Sequence, residues 1–328
     1  MGSKKSISVI LPNYNGKHLM EQFIPSTLEA LEFSGVDYEF IVVDDCSKDD
    51  SISFIRNNYP NFILLKNDIN SGFSKTCNKG IQQATKDLIF LLNSDVQLTP
   101  NYFENQFQYF ENVETFGVMG RIMNFDGKKM EDTARLPYYK GGKFKANKFF
   151  YIEGNNKVPT TYLSGANALI DRQKLQLLNG FDEIYSPFYF EDFDLGLRAW
   201  EAGWLCYYDH QSYCYHQVSS STKKVNKGNS VKITYNRNGF TLQSIHLKGF
   251  RRSFWLVQLF TLTLLGHLFK GEFWIVKSIQ QFISQRKAME QSRTNMRNLQ
   301  QQLNRQHDLN YIISTISTAI ANQKVKWL

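Results

Sequence analysis

The stretch SISVILPNYNG, residues 6–16, decides the fold. Ser6–Leu11 is a short, mainly β-branched and aliphatic run, the pattern of a buried strand. Pro12 ends the run. Asn13, Tyr14, Asn15 and Gly16 then stand where a dinucleotide-binding fold would need a GxGxxG turn, so that fold is disfavoured. Working outward, His18–Phe33 has helical apolar spacing through Leu19, Phe23, Leu28 and Leu31, with Gly35 as its stop. Glu39–Val43 is a second apolar run, ending on Asp44-Asp45. A helix over Ser51–Asn58, a strand over Phe62–Lys66, a helix over Ser74–Ala84 and a strand over Leu88–Leu92 follow. The last strand runs into Asn93-Ser94-Asp95.

This alternation predicts an open, largely parallel sheet covered by helices. Ligands of such sheets bind beyond the carboxyl ends of the strands. Asn13 and Asn15, Asp44 and Asp45, and Asn93 and Asp95 all fall at those ends. Residues 121–160 are rich in Lys, Gly and Tyr with little periodicity and read as loops and irregular strands. Tyr162–Ile170 reads as a strand, Arg172–Leu178 as a short helix, Glu191–Ala202 as a helix and Trp204–Tyr208 as a strand.

No GxxxxGK[ST] loop is present, which excludes a P-loop kinase or ATPase. The chemistry therefore rests on carboxylates. Asp95 at a strand tip suits a hard divalent cation, which takes one or two carboxylates plus substrate phosphates. The same tripeptide also suits an Asx-turn. Asp45, Ser47 or Asp49 could equally cap the helix that begins near Ser51. Glu191-Asp192, with Asp194, follows the aromatic run Phe188-Tyr189-Phe190 and opens a helix. Acids in a first turn favour the helix dipole, and one of them could also serve as a general base at the lip of an aromatic pocket. His216 is a candidate metal or phosphate ligand, or an ordinary structural histidine.

The 328 residues suffice for one large domain with an extension, and 42% hydrophobic residues allow a sizeable core. A net charge of +8 hides an asymmetry. Residues 1–219 carry 21 basic and 27 acidic side chains, whereas residues 220–328 carry 17 basic ones against Glu272, Glu290 and Asp308. Cys46, Cys77, Cys206 and Cys214 form no CxxC pair or metal-type spacing and read as reduced thiols. The N-terminus has no apolar stretch of the kind a signal peptide needs.

Six segments in order, SISVILPNYNG (6–16), FIVVDDCSKDDS (40–51), NDINSGFSKTCNKGI (67–81), LIFLLNSDVQLTP (88–100), YLSGANALI (162–170) and GFDEIYSPFYFEDFDLGLRAWEAGW (180–204), closely resemble the family 2 glycosyltransferases of GT-A fold. The subgroup resembled builds bacterial surface polysaccharides and includes rhamnosyltransferases. The resemblance implies an α/β fold, a mostly parallel mixed sheet flanked by helices, with a C-terminal helical extension. It divides the chain into a catalytic domain over 1–220, with a nucleotide-sugar part to about 120 and an acceptor part beyond, and an extension over 221–328.

Position by position, the resemblance implies that Pro12, Asn13, Tyr14 and Asp45 line a nucleoside pocket, with Asp44 supporting the turn. Asn70, Gly72 and Asn78 would form the adjoining wall, with Gly72 allowing a close backbone approach. Asn93, Ser94 and Asp95 would be the DXD-type motif, with Asp95 its metal ligand for Mn2+ or Mg2+. Ser164 and Gly165 would border the donor sugar, Asp192 would be the catalytic base with Glu191 shaping the acceptor site, and His216 would touch the metal or diphosphate. The implied partners are a UDP-, dTDP- or GDP-linked sugar donor and a glycan or polyprenyl-linked acceptor. The implied reaction is single displacement with inversion, carried out in the cytoplasm at the inner face of a bacterial plasma membrane. A non-catalytic relative that binds nucleotide sugars or scaffolds an assembly complex is the alternative.

The tail is read on its own residues. Phe254–Phe269 is apolar but short of the ~20 residues needed to span a bilayer. Arg251, Arg252, Lys270 and Lys277 flank it, with Trp255, Phe273 and Trp274 near its ends. Helices lying on an anionic membrane surface and helices packing on the catalytic domain both fit. Gln280–Gln306 reads as a solvated helix. Nucleic acid is not an expected partner, because no recognition module accompanies the charge. Oligomeric state is left open.

Overall fold

The computed structural model describes residues 5–154, 157–217 and 229–328. The expected boundary at 220 lies outside these residues. The first half alternates as expected: β1 (Ile7–Asn13), α1 (Lys17–Ser34), β2 (Tyr38–Asp44), α2 (Ser51–Asn58), β3 (Ile63–Lys66), α3 (Phe73–Gln83) and β4 (Leu88–Leu92). β3, β2, β1 and β4 lie side by side in parallel. Gly35 closes α1 with a left-handed φ of 61°, and its N–H donates to the Glu32 carbonyl.

Beyond β4 the sheet becomes mixed. β11 (Asn167–Asp171) runs antiparallel between β4 and β6 (Thr115–Asn124), and β12 (Leu205–His216) lies parallel to β6. β5 (Val96–Leu98) and β10 (Val158–Pro159) add to β12, and β7 (Met130–Asp132) adds to β6. Side-chain alternation sends Ile7, Val9, Leu11, Phe40 and Val42 to one core, with Met20, Ile24 and Leu31 of α1. Ile10, Ile41, Val43, Ile89 and Leu91 face the other, with Cys77 and Ile81 of α3 and Leu195 and Leu197 of α5 (Glu191–Glu201). The arrangement is a mixed α/β sheet between two helical layers.

Residues 121–160 are more regular than expected. β8 (Ala134–Lys140) and β9 (Lys143–Ile152) form an antiparallel hairpin joined by Gly141-Gly142, with φ +60° at Gly141. A two-residue Gly-Gly turn is a hairpin signal. The exposed Lys-rich face masked the alternation. Conversely, Tyr162–Ile170 is not one strand. Only Asn167–Asp171 pairs, and residues 162–166 form a loop at the end of β11. β12 extends well beyond the expected Tyr208.

The C-terminal region packs on the central sheet. α6 (Asn229–His246), α7 (Gly249–Gln258), α8 (Leu264–Phe269), α9 (Trp274–Ser284), α10 (Arg286–Gln302) and α11 (Leu309–Ile320) follow in order. Phe240, Trp255, Phe282, Met296 and Ile316 share one hydrophobic cluster with Ile10, Leu91 and Trp200. Gln280–Gln306 is thus two helices rather than one solvated helix, and the second buries Met289, Met296, Leu299 and Gln300. β13 (Val325–Trp327) pairs antiparallel with β9, setting Trp327 against the Phe150 ring at 5.7 Å between centroids. The expected apolar run is a helix through α7 and α8 with a π-helical turn over Leu259–Thr263.

Candidate active site

The carboxyl ends of β1, β2 and β4 meet at one cavity of about 640 Å³. Asn13 and Asp44 are register partners at adjacent strand ends. Asn13 Nδ2 donates to Asp44 Oδ2 at 3.1 Å and to Ser47 Oγ at 3.2 Å, and Ser47 N–H donates to Asp44 Oδ1 at 2.9 Å. Asp44 is therefore buried beneath the turn and does not border the cavity, whereas Asn13 does. Asp49, not Asp45, accepts from the Ser51 N–H and hydroxyl at the start of α2.

Asp45 organises the next wall. Its Oδ1 accepts from Asn67 Nδ2 and Ser71 N–H, both at 2.8 Å, and its Oδ2 accepts from Gly72 N–H at 2.9 Å. A carboxylate has about four acceptor positions, so Asp45 retains capacity toward a ligand while fixing the loop before α3. Gly72 has φ +83°, and a Cβ there would lie 2.8 Å from the Pro187 carbonyl oxygen. Gly72 borders the cavity, and the close approach that requires glycine is to Pro187 of the chain's own 185–190 loop. Asn78 also departs from expectation. Its side chain joins α3 to the Phe181 backbone, donating to the carbonyl at 2.9 Å and accepting from the N–H at 2.8 Å. It lies away from this cavity.

Asn93, Ser94 and Asp95 follow β4, and all three border the cavity. Asp95 Oδ2 is 3.4 Å from His216 Nε2, and His216 Nδ1 is 2.7 Å from Glu131 Oε2. Burial disfavours the imidazolium, but the two carboxylates outweigh it and push His216 up to about 9. His216 itself does not border the cavity; it stands behind Asp95. Asp95 Oδ1 is buried and has no hydrogen-bond partner. Such an oxygen suits a cation supplied with a substrate phosphate. Among the described residues no group of three or more His, Cys, Asp or Glu side chains could hold a metal ion on its own.

Glu191 and Asp192 open α5 and both border the cavity, as do Ser164 and Gly165. Tyr189 and Phe190, just before them, hold left-handed φ values of 74° and 76°, which is unusual for bulky residues. Glu191 is buried with its Oε2 unpartnered, while Asp192 is half-buried and accepts from the Phe193 N–H at 2.7 Å. Burial is the main cause that raises both carboxyls. Each also repels a neighbouring acid, and Arg135 partly offsets the rise at Asp192. The net effect holds Glu191 at about 8 and Asp192 at about 6. Arg135 is held by Asp132 and packs over the rings of Phe149 and Tyr162 at 4.5 and 4.2 Å.

Pro12, Tyr14 and Asn70 complete the expected lining. The sequence reading missed Phe73, Thr76 and Pro187, and above all Ser230 and Thr234 of α6. Ser230 and Thr234 are four apart on a helix and so share a face, but periodicity alone could not say that this face meets the cavity. α6 also holds the loop before α5. Asn238 Nδ2 donates to the carbonyls of Tyr185, Phe188 and Tyr189 at 2.6, 2.9 and 2.9 Å.

A family model described as Glycosyl transferase family 2 matches residues 8–178. The N-acetylglucosaminyl-diphospho-decaprenol L-rhamnosyltransferase of Mycobacterium tuberculosis (strain H37Rv) is 26% identical over 243 residues, covering 66% of this chain and 77% of the relative. Among solved structures, GalNAc-T7 with UDP, GalNAc and Mn2+ superposes with a TM-score of 0.63 at 11% identity, over 99% of this chain and 59% of that one. TarS from S. aureus with UDP-GlcNAc gives a TM-score of 0.56 at 13% identity, over 97% and 92% of the two chains. At such identities the structural likeness is one of fold. With the family match spanning more than half of the residues, the chain belongs to glycosyltransferase family 2 and is a glycosyltransferase of GT-A fold.

Proposed function

We propose that the enzyme transfers a sugar from a nucleoside-diphosphate donor to an acceptor hydroxyl by single displacement, with inversion at the anomeric carbon. The observation that carries this reading is the meeting of Asp45, Asp95 and Asp192 at one cavity beyond the strand ends. Asp192 accepts the proton of the acceptor hydroxyl as that oxygen bonds to the anomeric carbon. The bond from that carbon to the diphosphate oxygen breaks on the opposite face, and the nucleoside diphosphate leaves with its electron pair. A carboxylate raised toward neutrality by burial is a stronger base than an exposed one and is still ionised at pH 7. Glu191, buried alongside, favours its neutral form and can donate a hydrogen bond to the acceptor.

Asp45 and the Pro12–Tyr14 segment would hold the nucleoside, and Ser164 and Gly165 the donor sugar. Asp95, with its unpartnered Oδ1, would hold Mn2+ or Mg2+ and His216 would orient it. Bound there, the ion supplies positive charge for the departing diphosphate. UDP and Mn2+ in GalNAc-T7 and UDP-GlcNAc in TarS support a nucleoside-diphosphate-linked donor, and the choice among UDP, dTDP and GDP falls to the binding screen below. The lipid-diphosphate named in the mycobacterial relative supports a glycan or polyprenyl-linked acceptor, cell-envelope polysaccharide synthesis, and a peripheral location at the inner face of a bacterial plasma membrane. No described helix is long and apolar enough to cross a membrane.

A thermal-shift screen of nucleotide sugars with and without Mn2+ tests the donor reading, since a ligand that binds only the folded state raises its apparent stability. A Mn2+-dependent shift with one nucleotide family, lost in Asp95→Ala, is the expected result. No shift with any nucleotide sugar would contradict it. Donor binding without turnover on any acceptor would favour a non-catalytic scaffold.

A further inference from the structure

We propose that the helical hairpin of residues 249–284 is a membrane-docking arm that inserts its apolar surface into an anionic lipid leaflet. The inference rests on the reading that the enzyme works at a membrane face, and it names the surface that makes the contact. At its base the hairpin is anchored in the protein. Trp255 and Leu259 are fully buried, Gln258 Oε1 accepts from Gly142 N–H at 3.1 Å, and Arg251 lies 3.9 Å above the Tyr139 ring centroid. Beyond Leu259 the cover thins toward the tip. α8, with sequence LLGHLF, has no fully buried residue, and only Leu264 and Leu268 of its apolar side chains pack partly against the protein. The opposite side of the apolar helix that runs through α7 and α8, carrying Leu262, Leu265 and Phe269, is left uncovered, and such a face is normally covered by protein or by lipid.

The exposed side chains are large. Leu262 is 72% exposed, and Phe269 and Phe273 at the hairpin tip are 88% and 70% exposed. Phe250, Val257 and Leu265 extend the same uncovered surface toward the base. Apolar exposure on this scale, concentrated in one protruding element, marks an interaction surface rather than scattered surface residues.

The surrounding charge indicates the occupant. Lys270 and Lys277 are exposed on the hairpin, and its one acid, Glu272, is paired with His267 at 2.6 Å. The neighbouring β8–β9 hairpin brings Lys140 and Lys143 to the Gly141-Gly142 turn that abuts Gln258, so a second element adds positive charge beside the base. Phenylalanines and leucines for the acyl region, ringed by lysines and arginines for the headgroups, fit a monotopic contact with acidic phospholipid.

The test is flotation of the full chain with vesicles of phosphatidylcholine alone or with added phosphatidylglycerol, at low and high salt. Wild-type protein is expected to float with the anionic vesicles, and high salt should weaken binding. The triple variant Leu262→Asp, Leu265→Asp, Phe269→Asp should lose binding by about tenfold or more. It should keep its melting temperature and its transfer to a water-soluble acceptor, since none of these residues borders the catalytic cavity. Failure of wild type to bind either vesicle overturns the inference while leaving sugar transfer untouched. Equal binding to neutral and anionic vesicles overturns the assignment of an acidic leaflet. A concentration-dependent dimer that the triple variant dissolves, with no vesicle binding, would show that a second copy of the chain covers the surface instead. Vesicle binding without transfer on any acceptor would sink the catalytic reading and leave the arm standing.

Discussion

At the scale of single residues, the sequence marked the acids but not their neighbours. Asp45, Asp95 and Asp192 were legible because each ends a strand or opens a helix, where a short polar run interrupts an apolar one. Asn78 was misread because an asparagine on a helix carries no sign of which backbone it binds; the structure commits it to Phe181. Arg135 had no signal at all, since it sits in the Lys- and Tyr-rich region whose strands were not recognised. Its charge opposes the rise at Asp192, so removing it should raise that carboxyl further. The pH profile of kcat/KM for wild type should rise through about pH 6 as the base ionises. In Arg135→Met that acidic limb should move to higher pH, and Arg135→Lys should restore most of it. An unmoved limb would show that Arg135 does not act on the base.

At the scale of elements, α1 to α3 and β1 to β4 were legible to within a residue or two because their apolar periods are clean and their stops are glycine or paired acids. The β8–β9 hairpin and the role of α6 were not, because both depend on what the exposed-looking face meets after folding. α6 holds the helix that carries Asp192 through a buried polar network. Asp194 of α5 accepts from Tyr185 Oη at 2.9 Å, pairs with Arg198 at 2.6 Å and meets His246 Nε2 of α6 at 2.9 Å, while His246 Nδ1 meets Glu201 at 3.1 Å. Burial alone would raise Asp194, but Arg198 and His246 bring it down to about 2; burial alone would lower His246, but Glu201 and Asp194 push it up to about 9.

The signs follow from linkage. Asp194 contributes stability that is present above its unfolded value of 3.8 and lost as pH falls toward 2. His246 contributes stability that is full below its unfolded value of 6.5 and lost as pH rises through 9. From this network, stability should be greatest between about pH 4 and 6.5 and decline on either side, as read from denaturant midpoints. Asp194→Ala leaves two buried cations facing each other and should cost about 3–5 kcal/mol. Asn238→Ala strips three carbonyls of their donor and should cost about 1–3 kcal/mol. It should also lower kcat by loosening the loop before Asp192. A variant with lowered stability but wild-type kcat would separate that loop from catalysis.

At the scale of the whole molecule, charge asymmetry was visible in the sequence, and it left open whether the C-terminal helices lie on a membrane surface or pack on the rest of the chain. Most of them pack. The C-terminal helices share a hydrophobic cluster with the sheet, α6 supplies two residues to the cavity, and β13 closes back on β9. Periodicity reports which face of a helix is apolar, not which partner it will find, so the sequence could not choose between the two readings. The full chain should therefore unfold in one cooperative transition, with calorimetric and van't Hoff enthalpies in agreement. Two resolved transitions would mean that the tail folds as a separate unit.

The central claim is that Asp192 is the base of a sugar transfer whose donor is held independently of it. The most direct measurement is the release of nucleoside diphosphate from the donor found in the thermal-shift screen, with Mn2+ and an acceptor, by wild type and Asp192→Asn. The account expects kcat to fall about 10²–10⁴-fold in Asp192→Asn while donor affinity stays within a few-fold of wild type. Near-normal turnover in Asp192→Asn would contradict it.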